Sequence, residues 1–245
     1  MRIGILEAGE VGGNLAARHG AYPAMFRRLL SSAEPGLDFL TIRVVAGERP
    51  DGTGQADAWL VTGSRHGVYD DLPWIAPLKD FLRQCVAEGV PVAGICFGHQ
   101  ILAEALGGRA EKSSKGWGLG VHSYRLLEVP AWMEGARECY AGLALHQDQV
   151  AALPADATVL ATSAHCEIAA VAYGDPEHPR AVSVQSHPEF SPGFVADIIA
   201  ARRGKAIPEP VAEAALATLD RATDDADWAR WILRYFRDRL AQRPA

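Results

Sequence analysis

Pro91-Val92-Ala93-Gly94-Ile95-Cys96-Phe97-Gly98-His99-Gln100, continuing as Ile101-Leu102-Ala103-Glu104-Ala105-Leu106-Gly107-Gly108, is the stretch on which the reading of the fold turns. Val92 to Ile95 is a short apolar run behind a Gly-Val-Pro break and predicts a buried strand. Ile101, Leu102, Ala105 and Leu106 recur at helical spacing, and Gly107-Gly108 closes that helix. Cys96 therefore falls on a sharp strand-to-helix turn. Its Gly-x-Cys-x-Gly frame puts cysteine where such an elbow carries a nucleophile. The flanking glycines let strand and helix approach closely. The start of the helix favours thiolate, the reactive form of the sulfur. A bare cysteine would be read as core, because Cys is among the most buried residue types. The two glycines and the strand–Cys–helix context move the reading to a nucleophile.

A nucleophilic cysteine needs a base, and the base needs a group that orients it. The candidate is Gln185-Ser186-His187-Pro188-Glu189-Phe190, which follows the β-rich run Ala181-Val182-Ser183-Val184. Pro188 biases His187 away from helical angles. In extended chain, positions two apart face the same side, so His187 and Glu189 are expected close together. A carboxylate there fixes the imidazole tautomer and stabilises its charged form. His-Pro-Glu alone would be an ordinary turn; paired with the elbow it completes a Cys96–His187–Glu189 triad.

Together these two motifs resemble the class I (triad) glutamine amidotransferase domain. Within that family the chain is most similar to the stand-alone group related to the amidotransferase domain of GMP synthase. The resemblance runs from about Tyr22 to about Phe194. It implies an oxyanion hole formed by the N–H groups of Gly63 and Phe97, where glycine leaves a backbone donor unobstructed. It also implies that Gln100, Gln147 and Asp148 contact the amino-acid end of the substrate, Gln147 and Asp148 lying in Ala144-Leu145-His146-Gln147-Asp148-Gln149-Val150. His146 there is read equally as a structural hydrogen bonder and as a functional group. The implied chemistry is γ-glutamyl transfer to Cys96, release of ammonia and hydrolysis of the thioester, with no metal or organic cofactor.

The whole chain bounds this reading. Its 245 residues, 49% hydrophobic, suffice for one well-cored domain or a domain with an appendage. A formal charge of −6 and the lack of a basic stretch argue against nucleic acid as a partner. No apolar run approaches a membrane span, and Glu7 and Glu10 interrupt any signal-peptide reading. A cytoplasmic location with reduced thiols is expected. Cys85, Cys96, Cys139 and Cys166 form no metal-ligand spacing. Cys85, Cys139 and Cys166 lie on apolar runs and are expected in the core.

Arg2 to Leu6 reads as a first strand, followed by Gly9, Gly12 and Gly13. A dinucleotide fingerprint would need glycine at position 7, which is Glu7, so this is read as a flexible loop. Tyr22 to Leu30 carries a helical stripe, Phe39 to Val45 a second strand, and Ala58 to Val61 a third. The third strand ends in the turn Thr62-Gly63-Ser64-Arg65-His66-Gly67, at the kind of carboxyl end where open α/β sheets bind ligands. His66 is read as a polar loop residue. Pro73 opens a helix with Ile75, Leu78, Leu82 and Val86 on one face. Ala110 to Leu127 reads as two strands around Gly116-Trp117-Gly118, a hairpin or sheet extension, and Cys166 to Tyr173 as another strand. A helix over Pro192 to Arg203 is followed by two more, Val211 to Leu219 and Asp227 to Leu240. The last carries Trp228, Trp231, Ile232, Tyr235 and Phe236 as an aromatic stripe.

The expected architecture is a three-layer α/β fold of flavodoxin-like type, a doubly wound, mostly parallel sheet with helices on both faces. Residues 1–205 form the amidotransferase-like domain and 206–245 a helical extension packed on it. The residues after Phe194 are too few for an ATP-using domain of the GMP synthase kind, and no Gly-x-x-x-x-Gly-Lys occurs. The small-molecule partner is glutamine or another γ-glutamyl compound, and a separate synthetase would be needed to use the ammonia. The alternatives are a stand-alone γ-glutamyl peptide hydrolase and, from another class, a non-catalytic binding or regulatory protein on the same fold.

Overall fold

Period-two burial divides each central strand between two cores. The computed structural model describes residues 1–242. Its first half contains β1 (Arg2–Leu6), α1 (Gly13–His19), α2 (Tyr22–Ala33), β2 (Asp38–Ile42), β3 (Ala58–Val61), α3 (Ile75–Ala87), β4 (Val92–Ile95) and α4 (Phe97–Ala105). An antiparallel series follows: β5 (Arg109–Lys112), β6 (Gly118–Leu126), β7 (Cys139–His146), β8 (Asp148–Ala152), β9 (Ala157–Thr162) and β10 (Ala170–Tyr173). The chain then returns to the parallel half with β11 (Ala181–Val184) and continues through α5 (Pro192–Arg202), α6 (Glu209–Leu216) and α7 (Asp225–Ala241).

Among the described residues the main sheet has nine strands in the order β2-β1-β3-β4-β11-β10-β9-β6-β7. The run from β2 to β11 is parallel, and the rest antiparallel. Ile3, Ile5, Ala58, Leu60, Ala93, Ile95, Val182 and Val184 face one core with α2 and α7. Leu6, Trp59, Val61, Val92 and Ala181 face the other, with α3 and α4. Strands buried on both faces read as continuous apolar runs, which is why the parallel half is legible in the sequence. A third cluster joins α5 and α6 to Leu119, Val121 and Leu143 on the antiparallel half. This is the flavodoxin-like, three-layer α/β fold that was expected.

Several local expectations need correction. The two strands expected around Gly116-Trp117-Gly118 form, but not as a hairpin: β6 extends the main sheet between β7 and β9, while β5 pairs with β8 in a separate two-stranded sheet. The strand expected from Cys166 begins at Ala170, because Cys166 is held in a turn by its N–H to Ser163 Oγ at 2.9 Å. Cys85 and Cys166 are buried, but Cys139 is exposed. It opens the strand at the sheet's edge, where one flank has no neighbour. The glycine stretch after β1 leads into the short helix α1, not a continuous loop. The second strand ends at Ile42, and Val44–Ala46 turns as a 3-10 helix.

The aromatic stripe of α7 is core. Trp228, Trp231, Tyr235 and Phe236 are all buried against α2 and the sheet. The Tyr235 hydroxyl donates to Arg180 O at 2.9 Å and accepts from Val92 N–H at 3.2 Å, tying α7 to the start of β4. Among the described residues, no helix is long and apolar enough to cross a membrane.

Candidate active site

The parallel register brings the carboxyl ends of β3, β4 and β11 together. Val61 lies beside Gly94 and Ile95 beside Val184, so Gly63, Cys96 and His187 emerge at one edge. Cys96 is the only described non-glycine residue with positive φ, at 53°. Backbone in this region costs on the order of 1–3 kcal/mol and persists only where its surroundings enforce it. Here they do. A Cβ at Gly94 would lie 2.3 Å from Gly98 O, and one at Gly98 would lie 2.4 Å from Val61 O. The Cys96 N–H donates to Val184 O at 2.8 Å. The turn is thus clamped by strands on both sides.

His187 is equally constrained. Its N–H donates to Leu143 O at 2.8 Å, and its ring stacks on Phe190 with centroids 3.9 Å apart. Nδ1 lies 2.7 Å from Glu189 Oε1, both side chains fully or almost fully buried. Nδ1 therefore carries the proton toward the carboxylate, and Nε2, on the Cys96 side, makes no hydrogen bond of ordinary geometry among the described residues. Burial on its own would push the imidazole's pKa down. The Cys96 sulfur and the Glu189 carboxylate outweigh it and raise the value.

Gly63 touches both groups: a Cβ added there would lie 2.8 Å from His187 Cε1 and 3.8 Å from Cys96 Cβ. The Thr62 hydroxyl, which accepts from Ala8 N–H at 3.0 Å, donates to Gly63 O at 3.0 Å and fixes that peptide. The Phe97 N–H belongs to the first turn of α4, where helical N–H groups have no intrahelical acceptor.

A cleft of about 120 Å³ opens over this edge, lined by Cys96, Gln100, Gln147, Asp148 and His187. Glu189 lies behind His187, outside the lining. The Gln100 amide donates to Asp148 O at 2.8 Å and to Gln185 Oε1 at 3.2 Å. Burial raises the pKa of the Asp148 carboxyl, offset in part by the Tyr69 hydroxyl at 3.0 Å. His146 donates from Nδ1 to Asp148 O at 3.2 Å, and burial holds its pKa well below the usual range. It is thus a neutral hydrogen bonder shaping the turn between β7 and β8. His66 lines the cleft as well, edge-on to Trp74. Tyr22, Ser64, Arg65, Trp117 and Arg202 also line it and were not singled out from the sequence. Tyr22 was read only as one member of a helical stripe. A larger apolar hollow between the Val44–Ala46 turn and α3 lies elsewhere and does not include Cys96.

The fold and this cleft define a three-layer α/β protein with a cysteine on the turn at the carboxyl end of a central strand. A glutamine amidotransferase from Thermotoga maritima superposes with a TM-score of 0.74 over 99% of both chains at 19% identity, a likeness of fold. The sequence profile of the class-I glutamine amidotransferases matches residues 55–199, and the chain belongs to that family. It is 30% identical over 226 residues to γ-glutamyl peptidase 4 of Arabidopsis thaliana, covering 89% of this chain and 88% of that one. It is 32% identical over 177 residues to the glutamine-hydrolysing GMP synthase of Azoarcus sp. strain BH72, covering 63% of this chain and 31% of that one.

Proposed function

We propose that this chain hydrolyses γ-glutamyl amides through a thioester on Cys96. The Cys96 thiolate attacks the γ-carbonyl carbon and forms a C–S bond. The oxyanion is received by the Gly63 and Phe97 N–H groups, each such donor typically contributing about 3 kcal/mol. His187 Nε2–H, its charge supported by Glu189, gives a proton to the departing nitrogen as the C–N bond breaks. Water, activated by the now neutral imidazole, adds to the thioester. The C–S bond then breaks, glutamate leaves and the thiolate returns. Gln100, Gln147 and Asp148 hold the amino-acid end of the substrate. The observation that carries this reading is the positive-φ turn at Cys96 facing an imidazole whose other nitrogen is bound by a buried carboxylate.

Free-standing hydrolysis is favoured over service to a synthetase. The relative called a γ-glutamyl peptidase is matched over nearly its whole length, the GMP synthase over less than a third of its own. The burial of the α7 stripe also removes the apolar patch that would have suggested docking. Delivery of ammonia to a separate synthetase is the second reading, supported by the similarity to GMP synthase. We propose 1–205 as the amidotransferase unit, 206–245 as a helical extension of which 243–245 lie outside the described residues, and the cytoplasm as the place of action.

The test is glutamate release from glutamine and from γ-glutamyl-glycine by the purified chain and by Cys96→Ala. We expect steady turnover of at least one substrate and a loss of roughly 10³-fold or more in the variant. No release from either substrate, or a variant as active as the native chain, overturns the reading.

A further inference from the structure

Two arginines line the cleft beside the groups assigned above. Arg65, on the turn after β3, and Arg202, in the last turn of α5, both line it with Cys96. Neither guanidinium makes an ion pair or a hydrogen bond among the described residues. Nearby arginines are committed: Arg203 to Glu209 and Glu213, and Arg18 to Asp197. Asp148, the one carboxylate lining the cleft, is engaged by Tyr69. No carboxylate pairs with either guanidinium among the described residues, and a planar guanidinium fork matches a carboxylate.

The end of α5 is fixed in place. Trp117, also in the lining, donates from Nε1 to Ala206 O at 2.8 Å, joining the loop before β6 to the turn that follows Arg202. Gln100, Gln147 and Asp148, assigned above to the glutamyl end, come from α4 and the β7–β8 turn. Arg65 and Arg202 come from two other segments and are left for the other half of the substrate.

We infer that Arg65 and Arg202 form a leaving-group subsite for a carboxylate, so that the preferred substrate is a γ-glutamyl amino acid or peptide with a free C-terminal carboxylate. This rests on the γ-glutamyl reading above. Such a substrate yields glutamate and an amino acid or peptide, and must be supplied by a ligation at the glutamate side chain.

The experiment compares kcat/KM for γ-glutamyl-glycine and γ-glutamyl-glycinamide, which differ only in that carboxylate. The native chain should favour the acid by roughly tenfold or more, as charge-assisted hydrogen bonds allow. In Arg65→Gln/Arg202→Gln the ratio should fall toward one, mainly through KM, because the lost contact is present before the transition state. Arg202→Lys should recover part of the preference. Thermal melting of each variant establishes that it is folded. A native ratio near one overturns the inference. So does an equal loss on both substrates, which would put the arginines at the glutamyl end. No release from either compound or from glutamine would instead bring down the γ-glutamyl reading, and this inference with it.

Discussion

At the scale of single residues, the proposed chemistry rests on the environment of His187. Burial works against its charge, and the Cys96 sulfur and Glu189 favour it strongly enough to win. Its folded pKa is raised. The stabilisation this gives is therefore full below the unfolded value of about 6.5 and is lost as pH rises through the folded value. Cys96→Ala removes the larger of the two favourable charges and leaves the burial. The His187 pKa, followed by NMR of the ring, should fall in that variant, and the stabilising window should contract toward lower pH. An unchanged pKa would mean that the sulfur carries no charge beside the imidazole. His99 shows the opposite case. Its Nδ1 meets Ser183 Oγ at 2.7 Å, its Nε2 donates to Ile168 O at 3.0 Å, and burial pushes it down to about 4. The sequence distinguishes His187 by its two-residue spacing to Glu189. It leaves His146 open, because the carbonyl that claims its Nδ1 is settled only by the fold of the β7–β8 turn.

At the scale of elements, the strand–turn–helix unit from β4 through α4 is self-specifying. Gly94 and Gly98 are required by contact, the one against the other's carbonyl and the second against Val61. Gly94→Ala should lower stability by roughly 1–3 kcal/mol or more, as overpacking does. It should also lower activity out of proportion to stability, since relief of the clash must move the turn that holds Cys96. Melting and turnover measured on the same sample check this. Native turnover in a variant several degrees less stable would detach the turn from the chemistry. This unit was legible because every signal in it is local. The partners of β5 and β6 were not. Gly116-Trp117-Gly118 has the composition of a hairpin turn, yet β5 pairs with β8 and β6 with β7, choices set by distant register. Helix α1 buries none of its residues and carried no apolar stripe to betray it.

At the scale of the molecule, two halves of one sheet meet at β11, the strand that leads to His187. The parallel half supplies Gly63 and Cys96, and Gln147 and Asp148 come from the turn by which β7, the edge strand of the antiparallel half, passes into the separate β5–β8 sheet. The three-layer arrangement was legible from apolar runs buried on both faces. The exposure of Cys139 was not, because an apolar run does not reveal that its strand lies at an edge. That exposure sharpens the decisive test. Cys85 and Cys166 are buried, and burial pushes both thiols up to about 12. Cys139 is open to any electrophile, while Cys96 is reached only through the cleft. The central claim, that Cys96 is the nucleophile for a γ-glutamyl group, is tested most directly by a stoichiometric glutamine-analogue chloroketone, with peptide mapping by mass spectrometry and residual activity read on one sample. The account predicts that label on Cys96 rises in step with lost activity, that γ-glutamyl-glycine in excess protects it, and that Cys139 stays largely unmodified. Loss of activity with Cys96 unlabelled, or full activity with Cys96 labelled, would contradict it.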